Sequence, residues 1–103
     1  RLQTLGLYNT KVTDAGLVHL KGMTKLKELR LNDTQITDAG LVHLKELAEL
    51  QTLFLGDTQI TDAKLVRLKG LNNLQELYLT GTKVTDAGVA DLKKALPNCL
   101  IIK

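Results

Sequence analysis

Serine and tryptophan are absent from this 103-residue sequence, cysteine and proline occur once each, and aromatic residues make up only 3%. Without serine there can be no Ser-His-Asp arrangement. The single cysteine, Cys99, cannot form an internal disulfide, and with only His19 and His43 as further soft ligands it cannot assemble a zinc site. No apolar run approaches the roughly 18 residues that a spanning helix needs, and no charged-then-apolar leader opens the chain. The expectation is a unit that neither inserts into a membrane nor takes one as partner. What the chain has instead is leucine: 23 of its 103 residues, within a composition 44% hydrophobic and 24% charged. That describes one globular domain, 1–103, with an aliphatic core. So uniform a core suggests repetition.

The repetition is direct. Val12-Thr13-Asp14-Ala15-Gly16 returns at Ile36 to Gly40, Ile60 to Lys64 and Val84 to Gly88, a period of 24 residues. Leu2, Leu5 and Leu7 become Leu26, Leu29 and Leu31, then Leu50, Leu53 and Leu55, then Leu74, Leu77 and Leu79. The units are 2–25, 26–49, 50–73 and 74–97, with a closing segment 98–103. Each reads Leu-x-x-Leu-x-Leu-x-x-Thr-x-(Val/Ile)-Thr-Asp-Ala-x-(Leu/Val)-x-x-Leu. On these residues the chain resembles the leucine-rich repeat family, and its Thr-Asp-Ala-Gly form is similar to the ribonuclease-inhibitor-like, cysteine-containing subclass. The resemblance covers nearly the whole chain and implies a curved α/β solenoid that binds protein partners. It departs from the family where Thr10, Thr34, Thr58 and Thr82 stand in place of Asn or Cys.

The residues imply the same geometry unaided. In Thr4-Leu5-Gly6-Leu7-Tyr8 apolar residues alternate with others, so Leu5 and Leu7 face inward on a strand while Thr4, Gly6 and Tyr8 face outward. Thr13 and Asp14 are suited to cap a short helix, and Leu17 and Leu20 share its apolar face. Lys21, Lys45, Lys69 and Lys93 recur near the helix ends, where cations favour the dipole's negative pole. Parallel strands stack about 4.8 Å apart and helices need roughly 8–10 Å, so the solenoid curves with its sheet on the concave side and helices on the convex side. Arg1-Leu2 opens directly on a core leucine, which reads as part of a longer array. Pro97 stops the last helix, and Leu100-Ile101-Ile102 reads as a fifth strand whose facing depends on whether the 24-residue numbering runs through without a gap.

Candidate chemistry reduces to structure at most positions. Cys99 lies more than two repeats from His43, a separation above about 10 Å at the strand spacing, so no Cys-His couple is expected. His19 and His43 are followed at the equivalent positions by Arg67 and Asp91, the pattern of a solvated helix surface. The column Asp14, Asp38, Asp62, Asp86 reads as helix caps rather than a calcium ladder. The four threonine hydroxyls are expected to bond nearby backbone in a buried column. No enzyme activity, metal or cofactor is expected. The +3 net charge does not collect on the concave face, where Lys11, Arg30 and Lys83 meet Glu28, Asp33, Asp57 and Glu76, so nucleic acid is not the expected partner. The single cysteine also sets the chain apart from disulfide-capped extracellular repeats, a lean towards an intracellular setting.

The functional signal lies in the aromatics. Tyr8, Phe54 and Tyr78 all fall on outward strand positions, and Phe54 and Tyr78 share one repeat position, with Arg30 beside them. Such a ladder could serve only to stabilise the sheet; Tyr, Phe and Arg are also the side chains that anchor interfaces. The expected function is noncovalent protein recognition through the concave sheet. Tyr8, Phe54 and Tyr78 supply area, Arg30 a stacking or bidentate partner, and Glu28, Asn32, Asp57 and Glu76 polar selectivity. The outward patch is roughly 300–400 Å² by strand spacing, below the ~800 Å² per partner of a standard interface. The alternatives are weak self-association through open solenoid edges, a sugar-binding face, or the recognition arm of a larger enzyme or ubiquitin-ligase-type assembly.

Overall fold

A computed structural model of the chain describes residues 3–103; the expectations for Arg1 and Leu2 lie outside the described residues. Five strands, β1 (Thr4–Gly6), β2 (Glu28–Arg30), β3 (Thr52–Phe54), β4 (Glu76–Tyr78) and β5 (Leu100–Ile102), form one parallel sheet in sequence order. Each pairs with the next in a register of 24, so that Leu5, Leu29, Leu53, Leu77 and Ile101 are successive partners. A constant period makes the neighbour of every strand residue the residue one repeat away. Between strands the chain crosses the opposite, convex side in short helical segments, Asp14–Leu20, Asp38–Leu44, Asp62–Leu68 and α1 (Asp86–Ala95).

The core is a stack of leucine layers. Leu29, Leu53 and Leu77 from the sheet meet Leu17, Leu41 and Leu65 from the convex side, and all are at most 4% exposed. Toward β1 the packing loosens: Leu5, Leu7, Val12 and Met23 are only partly buried. Thr10, Thr34, Thr58 and Thr82 each donate a hydroxyl hydrogen bond to the carbonyl three residues earlier, at 2.5–2.7 Å. This is the expected column, but burial is full only at Thr34 and Thr58.

The expected short helix is present in each repeat: three of the four convex segments are 3-10 helices of seven residues, and α1, with ten, is α-helical. One expectation is corrected: the aspartates do not cap their own helices. Thr37, Thr61 and Thr85 are the side-chain caps, accepting from the amides of Ala39, Ala63 and Gly88, while Thr13 makes no such bond. The aspartates reach into the next repeat instead. Asp14 accepts from Thr37 N (2.8 Å) and Thr37 Oγ1 (2.5 Å), and Asp38 from Thr61 N (2.8 Å) and Thr61 Oγ1 (2.5 Å). Asp62 holds Thr85 through the same two donors. Each clamp joins consecutive convex segments across the repeat boundary, using the amide that a helix start leaves without an internal partner.

The clamp explains the glycine beside it. A Cβ at Gly40 or Gly88 would collide with the carboxylate of Asp14 or Asp62. At the one repeat where that glycine is replaced, Lys64 takes non-helical angles (φ −121°, ψ 15°) and kinks its segment. The backbone yields there, and the clamp from Asp38 to Thr61 survives.

The last strand follows the gapless register: Leu100 pairs with Glu76 and Ile102 with Tyr78. Ile101 therefore points inward, and Leu100 and Ile102 face outward, 55% and 36% exposed. The lysine column does more than meet helix dipoles. Lys69 pairs with Asp91 one repeat on at 3.0 Å, and Lys93 Nζ donates to the carbonyl of Cys99 at 2.5 Å.

Candidate functional site

The outward residues of the sheet fall into rows that run across the strands. One row holds Gly6, Arg30, Phe54, Tyr78 and Ile102; beside it lie Thr4, Glu28, Thr52, Glu76 and Leu100. Parallel in-register pairing superposes equal positions, and the two rings land face to face. The centroids of Phe54 and Tyr78 are 4.5 Å apart with planes 5° from parallel. The Arg30 guanidinium sits 5.0 Å from the Phe54 centroid, continuing the stack as a cation–π contact. Both rings are half-buried by this stacking rather than standing free in solvent.

The flanking acids are engaged. Glu28 pairs with Arg30 at 2.5 Å, fixing the guanidinium over Phe54. Glu76 accepts from the Tyr78 hydroxyl at 2.6 Å, and this bond, foremost, raises the phenol above its usual range. Tyr78 is thereby held as a neutral donor with its ring orientation set.

Tyr8 is not in the same row, yet its ring reaches it. Gly6 has no side chain, and the ring edge of Tyr8 lies over it, with Cε1 at 3.3 Å from where a Cβ would stand. Tyr8 remains 51% exposed. Asn32 is half-buried and donates to Asp33 at 3.4 Å. Asp57 belongs to a turn rather than to the strand face: Asn9, Asp33 and Asp57 have φ of 55–58°, and Gly81 at the same repeat position has φ 80°. Asn, Asp and Gly are the residues that tolerate this left-handed backbone. Asp57 is thus accounted for by its turn; it is exposed, and its carboxylate lies against Gly81, the turn residue of the next repeat.

The structure therefore brings together Arg30, Phe54 and Tyr78 with Glu28 and Glu76, and leaves Tyr8, Asn32 and Asp57 along one margin. Leu100 and Ile102 also lie on these outward rows, beyond the candidate residues taken from the sequence. The signal was present, since both lie 24 residues beyond Glu76 and Tyr78. They extend the aromatic row into an aliphatic end.

Elsewhere the chemistry is bland. Cys99 is 1% exposed, and burial, foremost, pushes its thiol pKa up, which keeps it in the unreactive form. A groove of about 190 Å³ on the convex side is lined by Val18, Lys21, Val42, His43, Lys45 and Glu46. Among the described residues no cluster of three His, Cys, Asp or Glu side chains is placed to hold a metal ion, and no helix is long and apolar enough to cross a membrane.

A family model described as leucine rich repeat matches residues 24–84. Among solved structures the chain is similar to internalin C2 of Listeria monocytogenes, at 30% identity and a TM-score of 0.77 over 98% of this chain and 41% of that one. It is also similar to a leucine-rich repeat protein of Leptospira interrogans, at 26% identity and a TM-score of 0.73, covering 98% of this chain and 25% of that one. Internalin F of Listeria monocytogenes gives 25% identity and a TM-score of 0.61, with coverage of 100% and 35%. The chain thus spans less than half the length of each. The search of curated proteins gave no match.

Proposed function

The chain belongs to the leucine-rich repeat family, and from that premise we propose that it is a noncatalytic recognition module that binds a protein partner through the concave face of its sheet. The observation that carries this reading is the row Arg30-Phe54-Tyr78-Ile102, a preorganised strip whose polar groups are already satisfied by Glu28 and Glu76. Rigid rings lose little freedom on binding, and a strip already ordered in the free protein avoids part of the association cost. Phe54, Tyr78 and Tyr8 supply contact area, Leu100 and Ile102 extend it, and Arg30 stacks or pairs. Glu28, Asn32, Asp57 and Glu76 form the polar margin that selects among partners. The exposed strip is smaller than a standard interface, so this segment alone binds weakly, and neighbouring repeats of a longer array supply the remaining area.

The 24-residue Thr-Asp-Ala-Gly unit supports grouping with the ribonuclease-inhibitor-like subclass. Affinity capture with the wild-type chain and with Phe54→Ala/Tyr78→Ala tests the reading. Authentic partners lose at least tenfold in retention on the variant while its far-UV circular dichroism is unchanged. Equal retention by the two proteins would remove the concave strip from the function.

A further inference from the structure

On the convex side, apolar and basic side chains recur in register. Val18, Val42 and Val66 share one repeat position, and Lys21, Lys45 and Lys69 stand three residues after them. Val18 and Val66 are 44% and 60% exposed, and Val42 is half-buried. The residue before each valine, Leu17, Leu41 or Leu65, is the one that fills the core, and among the described residues none of the three valines packs against that core. Valine is also an indifferent helix former. Neither the core nor the helical turn therefore calls for valine at the exposed place of Val66, which lies between two other repeats.

The charges beside these valines are open to a partner. Val18 and Val42 line the groove of about 190 Å³ together with Lys21, His43, Lys45 and Glu46. It lies at the junction of two consecutive repeats, and Val42, Lys45, Val66 and Arg67 bring similar side chains to the next junction. Lys69 is engaged by Asp91 at 3.0 Å, whereas among the described residues no ion pair takes Lys21, Lys45 or Arg67. The aspartates of the same segments do not neutralise them. Asp14, Asp38 and Asp62 sit at the opposite ends, turned to threonines of the following repeat. Seven residues of 3-10 helix put them roughly 14 Å from the lysines, beyond the screening length of about 8 Å at physiological salt.

We propose that this convex strip docks an acidic segment of a protein partner, which seats aliphatic side chains against the valines and carboxylates against Lys21, Lys45 and Arg67. Charge complementarity selects the acidic segment, and the valines select one that also carries aliphatic residues. A membrane surface is the poorer fit, because interfacial binding uses a broad apolar face with Trp, Phe or Leu, and here the apolar residues are valines shorter than the lysines beside them. The strip lies on the other side of the solenoid from the sheet, so it stands or falls apart from the concave reading.

The probe is the blocked peptide (Leu-Glu-Glu)3. Neighbouring convex segments lie roughly 8–10 Å apart, and three residues of extended chain span about 9 Å, so each leucine meets one junction. In a titration followed by amide chemical shifts, saturable changes at Val18, Val42, Lys45 and Val66, with none at Phe54 or Tyr78, are expected. Lys21→Gln/Lys45→Gln weakens binding about fivefold, and the near-isosteric Val18→Thr/Val66→Thr about threefold. Phe54→Ala/Tyr78→Ala binds like the wild type. Circular dichroism checks each fold, and should the valine pair unfold, the lysine pair carries the test. Four results would each overturn the proposal: no saturable shift, equal binding of (Ser-Glu-Glu)3, loss of binding in the concave variant, or binding to phosphatidylserine vesicles without binding to the peptide.

Discussion

Removing one clamp carboxylate in mid-solenoid distinguishes an inter-repeat bond from a helix cap. Asp38 accepts from both the amide and the hydroxyl of Thr61, at 2.8 and 2.5 Å, in half-buried surroundings. A hydrogen bond to a charged group contributes roughly 1.5–3 kcal/mol. Two at one site, partly replaced by water once the carboxylate is gone, put the cost of Asp38→Ala at about 2–3 kcal/mol. For a domain near 100 residues this lowers Tm by roughly 10–20 °C. In a stack where each repeat touches only its neighbours, the loss falls on the junction between the second and third repeats, so amide exchange there rises before that of the outer layers. Asp86 occupies the same repeat position, but its side chain is 95% exposed and, among the described residues, pairs with Lys103. Asp86→Ala therefore leaves Tm within error. Thermal melts by circular dichroism, read beside exchange at Thr61, check both. If the two alanine variants lose the same stability, the shared role is that of a local cap and the clamp argument fails.

Two further outcomes follow from the same contacts. The Thr85 hydroxyl, then the Thr85 amide, hold the Asp62 carboxyl below its usual range. A depressed pKa makes the contribution fully present above the unfolded value of about 3.9 and lost as pH falls through the folded value. Carbon chemical shifts should therefore show Asp62 titrating low in the wild type and higher in Thr85→Val; equal values in both would refute the assignment. Gly40→Ala sets a methyl group against the Asp14 carboxylate and at 2.8 Å from a methyl of Leu17. A loss of about 1–3 kcal/mol in urea unfolding is expected from overpacking, and a neutral result would mean that the segment kinks as freely as it does at Lys64.

Much of the architecture and part of the site were legible because a strict 24-residue period converts sequence position into spatial neighbourhood. Phe54 and Tyr78 stack because they differ by one period, and Arg30 joins them for the same reason. The alternation about Leu29, Leu53 and Leu77 separates core from face without any long-range information. Asn9, Asp33, Asp57 and Gly81 mark a left-handed turn that the repeat makes legible in principle, and the gapless register, one of the two that the sequence leaves open, places Leu100 and Ile102 on the outward rows. The type of helix was not legible, since seven-residue segments lie near the limit where α and 3-10 geometry compete.

What the amino-acid sequence determined by itself was therefore whatever repeats: strand register, leucine layers, turn positions and the superposition of Arg30, Phe54 and Tyr78. Tertiary structure alone decided the bonds whose partners carry no local signature. Thr-Asp before a helix reads as a cap, and only the stacking of repeats shows the aspartate turned away to a threonine 23 residues on. Tyr8 covers Gly6 because the missing side chain leaves room for a ring, and Lys93 and Lys103 find their acceptors in the Cys99 carbonyl and the Asp86 carboxylate. A side-chain hydrogen bond is directional and short-ranged, so its partner is chosen by the backbone geometry that packing has already set.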